Sequence, residues 1–200
     1  MKSESIAFAI AGVAFGFLAG WIVGDRYATL NQPPQVAASA PAQAPAAAPP
    51  AVDLERIEAL EALATDEPTS AGPRIELGNL YFDAERYADA IKWYTAALEL
   101  SPDDVNVRTD LGVAYYYTNQ PDRALSQFEQ SLQVDPTHTK TILNVGIVKA
   151  FGQQDLAGAE EAWEKVIALD PDSPEGGAAR RALDSLRSAH PRPSDVKPGA

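Results

Sequence analysis

Cysteine is absent from the 200 residues, which excludes disulfides, thiol nucleophiles and cysteine-bound metal. Histidine occurs only twice, as His138 and His190. Neither has a partner at ligand spacing, so no metal and no cofactor is expected. No phosphate-cradling G-x-x-x-x-G-K loop and no G-x-S-x-G elbow occurs. Glu160 and Glu161 are a carboxylate pair in sequence only, because adjacent residues on a helix point apart; they read as a solvated face. The chain is therefore expected not to be an enzyme. Positive charge is also scarce. Lys and Arg number 16 against 28 Asp and Glu, for a net charge of −12. Nucleic acid needs a basic face, so it is excluded as a partner, whereas a protein or peptide that is basic or apolar suits the acidic surface. The surplus is local, since residues 53–190 hold 25 acidic and 12 basic residues, a net of −13.

Charge is missing altogether from Ser5 to Gly24. Twenty apolar residues in a helix span about 30 Å, the thickness of a bilayer core. The run is too long for a signal-peptide core, and Trp21 and Tyr27 stand at its far end, where amphipathic rings favour the interface. Residues 1–30 are expected to be a single uncleaved transmembrane anchor. Gly12, Gly16, Gly20 and Gly24 fall on one helical face, a groove for close approach of a second membrane helix. Homo-oligomerisation through that helix is one use of it. Lys2 favours an inside amino terminus, which puts the bulk of the chain across the membrane. The next stretch, 31–52, is rich in Pro and Ala and has no charge. Proline at that density blocks helix and favours extended polyproline II, so it reads as a disordered spacer.

What the chain has in abundance is periodicity. Leu77-Gly78, Tyr81, Ala90, Tyr94, Ala97 and Pro102 return 34 residues later as Leu111-Gly112, Tyr115, Ala124, Phe128, Ser131 and Pro136. They return again as Val145-Gly146, Lys149, Ala159, Trp163, Val166 and Pro171, with the second half slipped by one residue. The extra residue falls between Lys149 and Ala159, where a turn is expected. Helices are expected at 71–84 and 87–100, 105–118 and 121–134, and 139–152 and 155–169. A leading helix capped by Asp53, with a stripe of Leu54, Ile57, Leu60 and Leu63, stands in for half a repeat. A last helix over 174–188 closes the array, with Arg180, Arg181 and Arg187 outward. Gly78, Gly112 and Gly146 are placed where the helices of a pair cross. The array occupies 53–189, and 190–200 reads as a disordered tail.

This pattern and period resemble the tetratricopeptide repeat. The resemblance implies an all-α solenoid of about three helix pairs, whose first helices line a concave groove that binds peptide. In the first repeat that face holds Ile75, Asn79, Phe82 and Asp83. In the second it holds Thr109, Val113, Tyr116 and Tyr117. In the third it holds Lys140, Leu143, Asn144, Ile147, Ala150 and Phe151. So apolar and aromatic a surface marks an interaction site; otherwise the chain's own last helix or tail fills it. Some members clamp acidic chaperone tails with Lys, Asn and Arg. Asn79, Lys140 and Asn144 stand at such positions, but Ile75 replaces a Lys and Asp110 an Asn. The expectation is a membrane-anchored adaptor without catalysis, in a bacterial inner membrane with its repeats in the periplasm. Two alternatives remain. The order of anchor, linker and repeats resembles membrane-attached factors of cytochrome c maturation. A structural envelope protein assembling through its glycine face is the other.

Overall fold

The computed structural model describes residues 53–190. The expected anchor with Gly12, Gly16, Gly20 and Gly24, the linker, and the tail beyond His190 lie outside them. Among the described residues no helix is long and apolar enough to cross a membrane, and no strand occurs. The described residues form eight α-helices in succession: α1 Leu54–Asp66, α2 Gly72–Asp83, α3 Tyr87–Leu100, α4 Val105–Tyr117, α5 Pro121–Val134, α6 Thr139–Ile147, α7 Leu156–Leu169 and α8 Pro174–Ala189. Successive helices pack as antiparallel neighbours, α2 on α3, α4 on α5, α6 on α7 and α7 on α8.

The start signals are chemical. Asp53, Asp104 and Asp155 accept hydrogen bonds from the backbone N–H groups of Arg56, Val107 and Gly158 at 3.1, 3.0 and 2.9 Å, and Ser173 does the same for Gly176. Each bond satisfies a donor that the first helical turn cannot. The ends at Leu100, Val134 and Leu169 stop two residues short of Pro102, Pro136 and Pro171, which cannot continue a helix.

Inside each pair one glycine meets one large ring. A Cβ on Gly78 would collide with Tyr94, on Gly112 with Phe128, and on Gly146 with Trp163. All three rings are buried, as are Leu77, Tyr81, Ala90, Leu111, Tyr115 and Ala124. The recurring residues are thus the core. In α1 the buried side is Ile57, Leu60 and Ala64, while Leu54 is 66% exposed and Leu63 is exposed too. The expected stripe is corrected accordingly, because α1 meets only α2 on one side.

The slipped residue has a definite place. Glu85, Asn119 and Gln154 each sit at φ near +58° in the turn between paired helices. The first two are 34 apart and the last two 35. The extra residue is absorbed before Gln154, in a π turn over Val148–Gly152 that extends α6. Arg86 N–H donates to Tyr81 C=O and Gln120 N–H to Tyr115 C=O, but Asp155 N–H reaches one residue further back, to Lys149 C=O at 2.8 Å. The insertion therefore lies in helix, not in the expected turn, and a π turn is how a helix carries one residue too many without breaking.

Candidate functional site

The face of α2, α4 and α6 carries the predicted groove residues, and the structure brings many of them together. Phe82 from α2 lies edge-on to Tyr87 of α3 at 5.2 Å and to Tyr117 of α4 at 6.1 Å. Tyr87 and Tyr117 stack at 4.5 Å with planes 12° apart, and Tyr116 tilts against Tyr117 at 5.8 Å. Aromatic pairs favour these arrangements because ring edges are positive and faces negative. Burial pushes the Tyr87 hydroxyl above its ordinary range, with Tyr117 and Glu85 adding to it. Burial and Tyr117 do the same for Tyr116. These rings therefore remain uncharged donors. Tyr117 is nonetheless 51% exposed, and Phe151 at the matching end of the third pair is 62% exposed.

Tyr87 was not legible as a site residue. It opens a second helix, while the expectation was confined to first helices, and Pro121 and Leu156 take its place in the later pairs. A non-recurring aromatic at a helix start was the available signal.

Polar groups occupy the middle of the face. Tyr94 donates its hydroxyl hydrogen to Asn79 Oδ1 at 2.8 Å, which leaves the Asn79 amide N–H groups outward. Asn144 donates back to the Lys140 carbonyl of its own helix at 2.8 Å, which leaves its Oδ1 as acceptor. Lys140 Nζ holds Asp110 Oδ1 at 2.7 Å, joining α6 to α4. Ile75, Val113, Leu143 and Ile147 are half-buried between these groups.

Thr109 is a correction. It was expected on the open face but is fully buried, as are Thr141 and Ser131. Its hydroxyl donates to Val105 C=O at 2.7 Å and lies 2.6 Å from the Thr141 hydroxyl, which lies 2.6 Å from His138 Nδ1. Each hydroxyl has one hydrogen to give. Thr109 gives its own to Val105, so Thr141 donates to Thr109 and His138 Nδ1–H donates to Thr141. Ala150 is buried as well. Glu160 departs from expectation too. It is not a solvated side chain, because Arg187 of α8 holds it at 2.6 Å and also pairs with Glu164 at 2.5 Å.

The last helix does not cover this face. It packs against α7 and α6, burying Gly176, Ala179 and Leu183, and so extends the array. The clearest cavity lies elsewhere, between α5 and α6. It has a volume of about 420 Å³ and is lined by Leu125, Glu129, Leu132, Gln133, Val145 and Lys149. A neighbouring one of about 170 Å³ shares Leu132, Val145 and Lys149. Both follow from one substitution. Lys149 stands where Tyr81 and Tyr115 fill space in the earlier pairs. Among the described residues no cluster of His, Asp or Glu could hold a metal ion.

Residues 78–119 match the family described as TPR repeat, and residues 106–134 match the one described as tetratricopeptide repeat. Hsp70-Hsp90 organizing protein 3 of Arabidopsis thaliana is 26% identical over 139 residues, covering 68% of this chain and 25% of that protein. The co-chaperone sgt12 of Aspergillus fumigatus is 30% identical over 133 residues, covering 62% of this chain and 38% of its own length. This chain thus spans well under half of those relatives. Among solved structures, the first TPR of Spaghetti (RPAP3), bound to the HSP90 peptide SRMEEVD, superposes with a TM-score of 0.54 at 27% identity. It covers 60% of this chain and 91% of that one. Residues 78–134, at the centre of this helical array, are thus tetratricopeptide repeats.

Proposed function

We infer that this protein is an adaptor, without catalysis of its own, that holds a peptide segment of a partner protein on the face of α2, α4 and α6. The observation that carries this reading is the exposure of Tyr117 beside Phe82, Tyr87 and Tyr116, with Phe151 exposed at the matching end of the third pair, while other residues supply the core. Exposed large aromatics are the anchors from which interfaces draw most of their energy. Ile75, Val113, Leu143 and Ile147 extend the apolar surface, and Asn79 and Asn144 hydrogen-bond peptide backbone. Relatives support the reading, since the RPAP3 repeat was solved with a peptide bound.

The apolar run from Ser5 to Gly24 would fix the adaptor to a membrane, with its repeats on the far side from the amino terminus. A topology reporter fused after Ala200 tests this, and activity confined to the cytoplasm would reverse it. The peptide reading is tested by selecting binders for the full chain from a displayed random library. The selected peptides should lose at least about tenfold in affinity for a Tyr117→Ala, Phe151→Ala variant and none for Glu129→Ala on the opposite side. Equal binding to the first variant would sink the groove, and loss with the second would relocate the site.

A further inference from the structure

The same face carries a charge arrangement that names the kind of peptide it accepts. This step rests on the adaptor reading above. The lysine on the face is already committed. Lys140 is held by Asp110 at 2.7 Å. Asp83, exposed on the same face, forms no ion pair with any described residue. Burial raises the Tyr94 hydroxyl well above its ordinary range, and the charges of Asp110 and then Asp83 raise it further. Both carboxylates therefore act on the point where Tyr94 meets Asn79. With Asp110 paired to Lys140, Asp83 leaves an uncompensated negative charge on the face, in a domain whose net charge is −13 over residues 53–190.

The two asparagines are complementary in a specific way. Asn79 is turned by Tyr94 so that its N–H groups face out, and Asn144 is turned by the Lys140 carbonyl so that its Oδ1 is the free group. One donor and one acceptor match an internal peptide unit, which offers one C=O and one N–H. A terminal carboxylate offers acceptors only, so it satisfies Asn79, leaves Asn144 without a hydrogen, and meets Asp110 and Asp83.

We propose that the α2–α4–α6 face binds an internal peptide segment bearing basic and apolar side chains, and that the Lys140–Asp110 pair excludes acidic carboxyl-terminal tails. A ligand lysine or arginine would seat against Asp83 and the second oxygen of Asp110. Aromatic or aliphatic side chains beside it would lie on Tyr117 and Phe151. Specificity then comes from a repulsive element as much as from an attractive one.

Two fluorescent probes test this on the full chain: the acidic heptapeptide SRMEEVD with a free carboxylate, and SRMKKVK with an amidated end. The native protein should bind the lysine peptide at least about tenfold more tightly. Asp110→Asn keeps the side-chain shape and frees Lys140. It should cut that preference at least about tenfold, whereas Glu161→Gln, an equal loss of charge away from the face, should change it by less than about twofold. Native preference for SRMEEVD would overturn the proposal. So would equal shifts in the two variants, which would reduce the effect to net charge. So would failure of both probes to bind the native chain. The library selection with Tyr117→Ala, Phe151→Ala is independent of these outcomes, so a groove that binds but ignores Asp110 would be recognised as such.

Discussion

The two junctions between successive helix pairs are built from different materials. At the first, where α3 meets α4, one apolar core runs without interruption from Ile57 and Leu60 through Tyr81, Tyr94, Leu98 and Val107 to Tyr115 and Phe128. At the second, where α5 meets α6, that core gives way to another, made of Ile142, Ala159, Trp163, Val166, Ala179 and Leu183. Partly buried Leu132 and Val145 lie between. Buried Val148 joins the first core from the far side of this junction, and beside it the crossing contacts are polar: the hydroxyl chain of Thr109 and Thr141, the Lys140–Asp110 pair, and a hydrogen bond from Gln153 to Asp122 at 2.9 Å. A cavity of about 420 Å³ opens beside them. In a repeat array stability is a sum of unit and neighbour terms, so one weak junction divides the molecule. The hydroxyls and the pair fix how α6 sits against α4 and therefore shape the peptide face. The missing tyrosine leaves the back of the same junction loose.

The largest effect comes from imposing the second junction on the first. By the 34-residue register Tyr115 holds at α4 the place of Lys149 at α6. Tyr115→Lys removes a buried ring whose hydroxyl accepts a hydrogen bond from Arg123 at 2.7 Å, and puts an ammonium in its place. The expected cost is about 3–5 kcal/mol, read from chemical denaturation. A loss under about 1 kcal/mol would mean the junctions do not differ as described.

Next in size is the hydroxyl chain. Thr141→Val leaves the Thr109 oxygen without its donor in a fully buried place, for about 1–3 kcal/mol. Thr109→Val, Thr141→Val should cost no more than the single change, because it removes the stranded Thr109 oxygen, while half-buried His138 loses Thr141 in either variant. Additive losses would show that the two hydroxyls do not act as a pair.

A gain is expected from the reverse exchange. Lys149→Tyr fills the cavity between α5 and α6 and should add about 1–2 kcal/mol. Hydrogen exchange should also change. In the native chain α6 to α8 should open below the protection of α1 to α5, and the variant should bring the two blocks together. Uniform protection in the native chain would show that the seam is only visual.

How much of this was legible in the sequence follows from what repeats. Leu77-Gly78, Tyr94 and their copies recur because helix crossing demands them, so the helices were placed within a residue or two. The π turn left its trace as a slip of one residue, but sequence alone does not say whether a turn or a helix absorbs it. Thr109 misled because a threonine at the register of Ile75 and Leu143 reads as surface. Its burial depends on Thr141, 32 residues away, being there to bond it. The exposure of Phe151 and Tyr117 followed from register, whereas the pairing of Lys140 with Asp110 depends on how α6 meets α4. The positions of these side chains on the helices could thus be read from spacing, but their mutual contacts required the junction.

The smallest effect concerns Asp155, which caps α7 and pairs with Lys149 at 3.5 Å. The Gly158 N–H above all holds its carboxyl below the ordinary value of 3.8, against a desolvation push upward and with lesser help from Lys149. Because the folded state prefers the ionised form, the contribution is complete above the unfolded value. It fades as pH falls from there through the lower folded value. Asp155→Asn keeps a capping oxygen but does not titrate, so its melting temperature should lie below that of the native chain near neutrality and converge on it in acid. A gap that persists below the folded value would assign the effect to cap geometry instead of charge. Repeating the measurement in Lys149→Tyr separates the causes further. If the Gly158 bond dominates, most of the pH-dependent gap survives without the lysine; if it vanishes, the ion pair across the loose junction was its source.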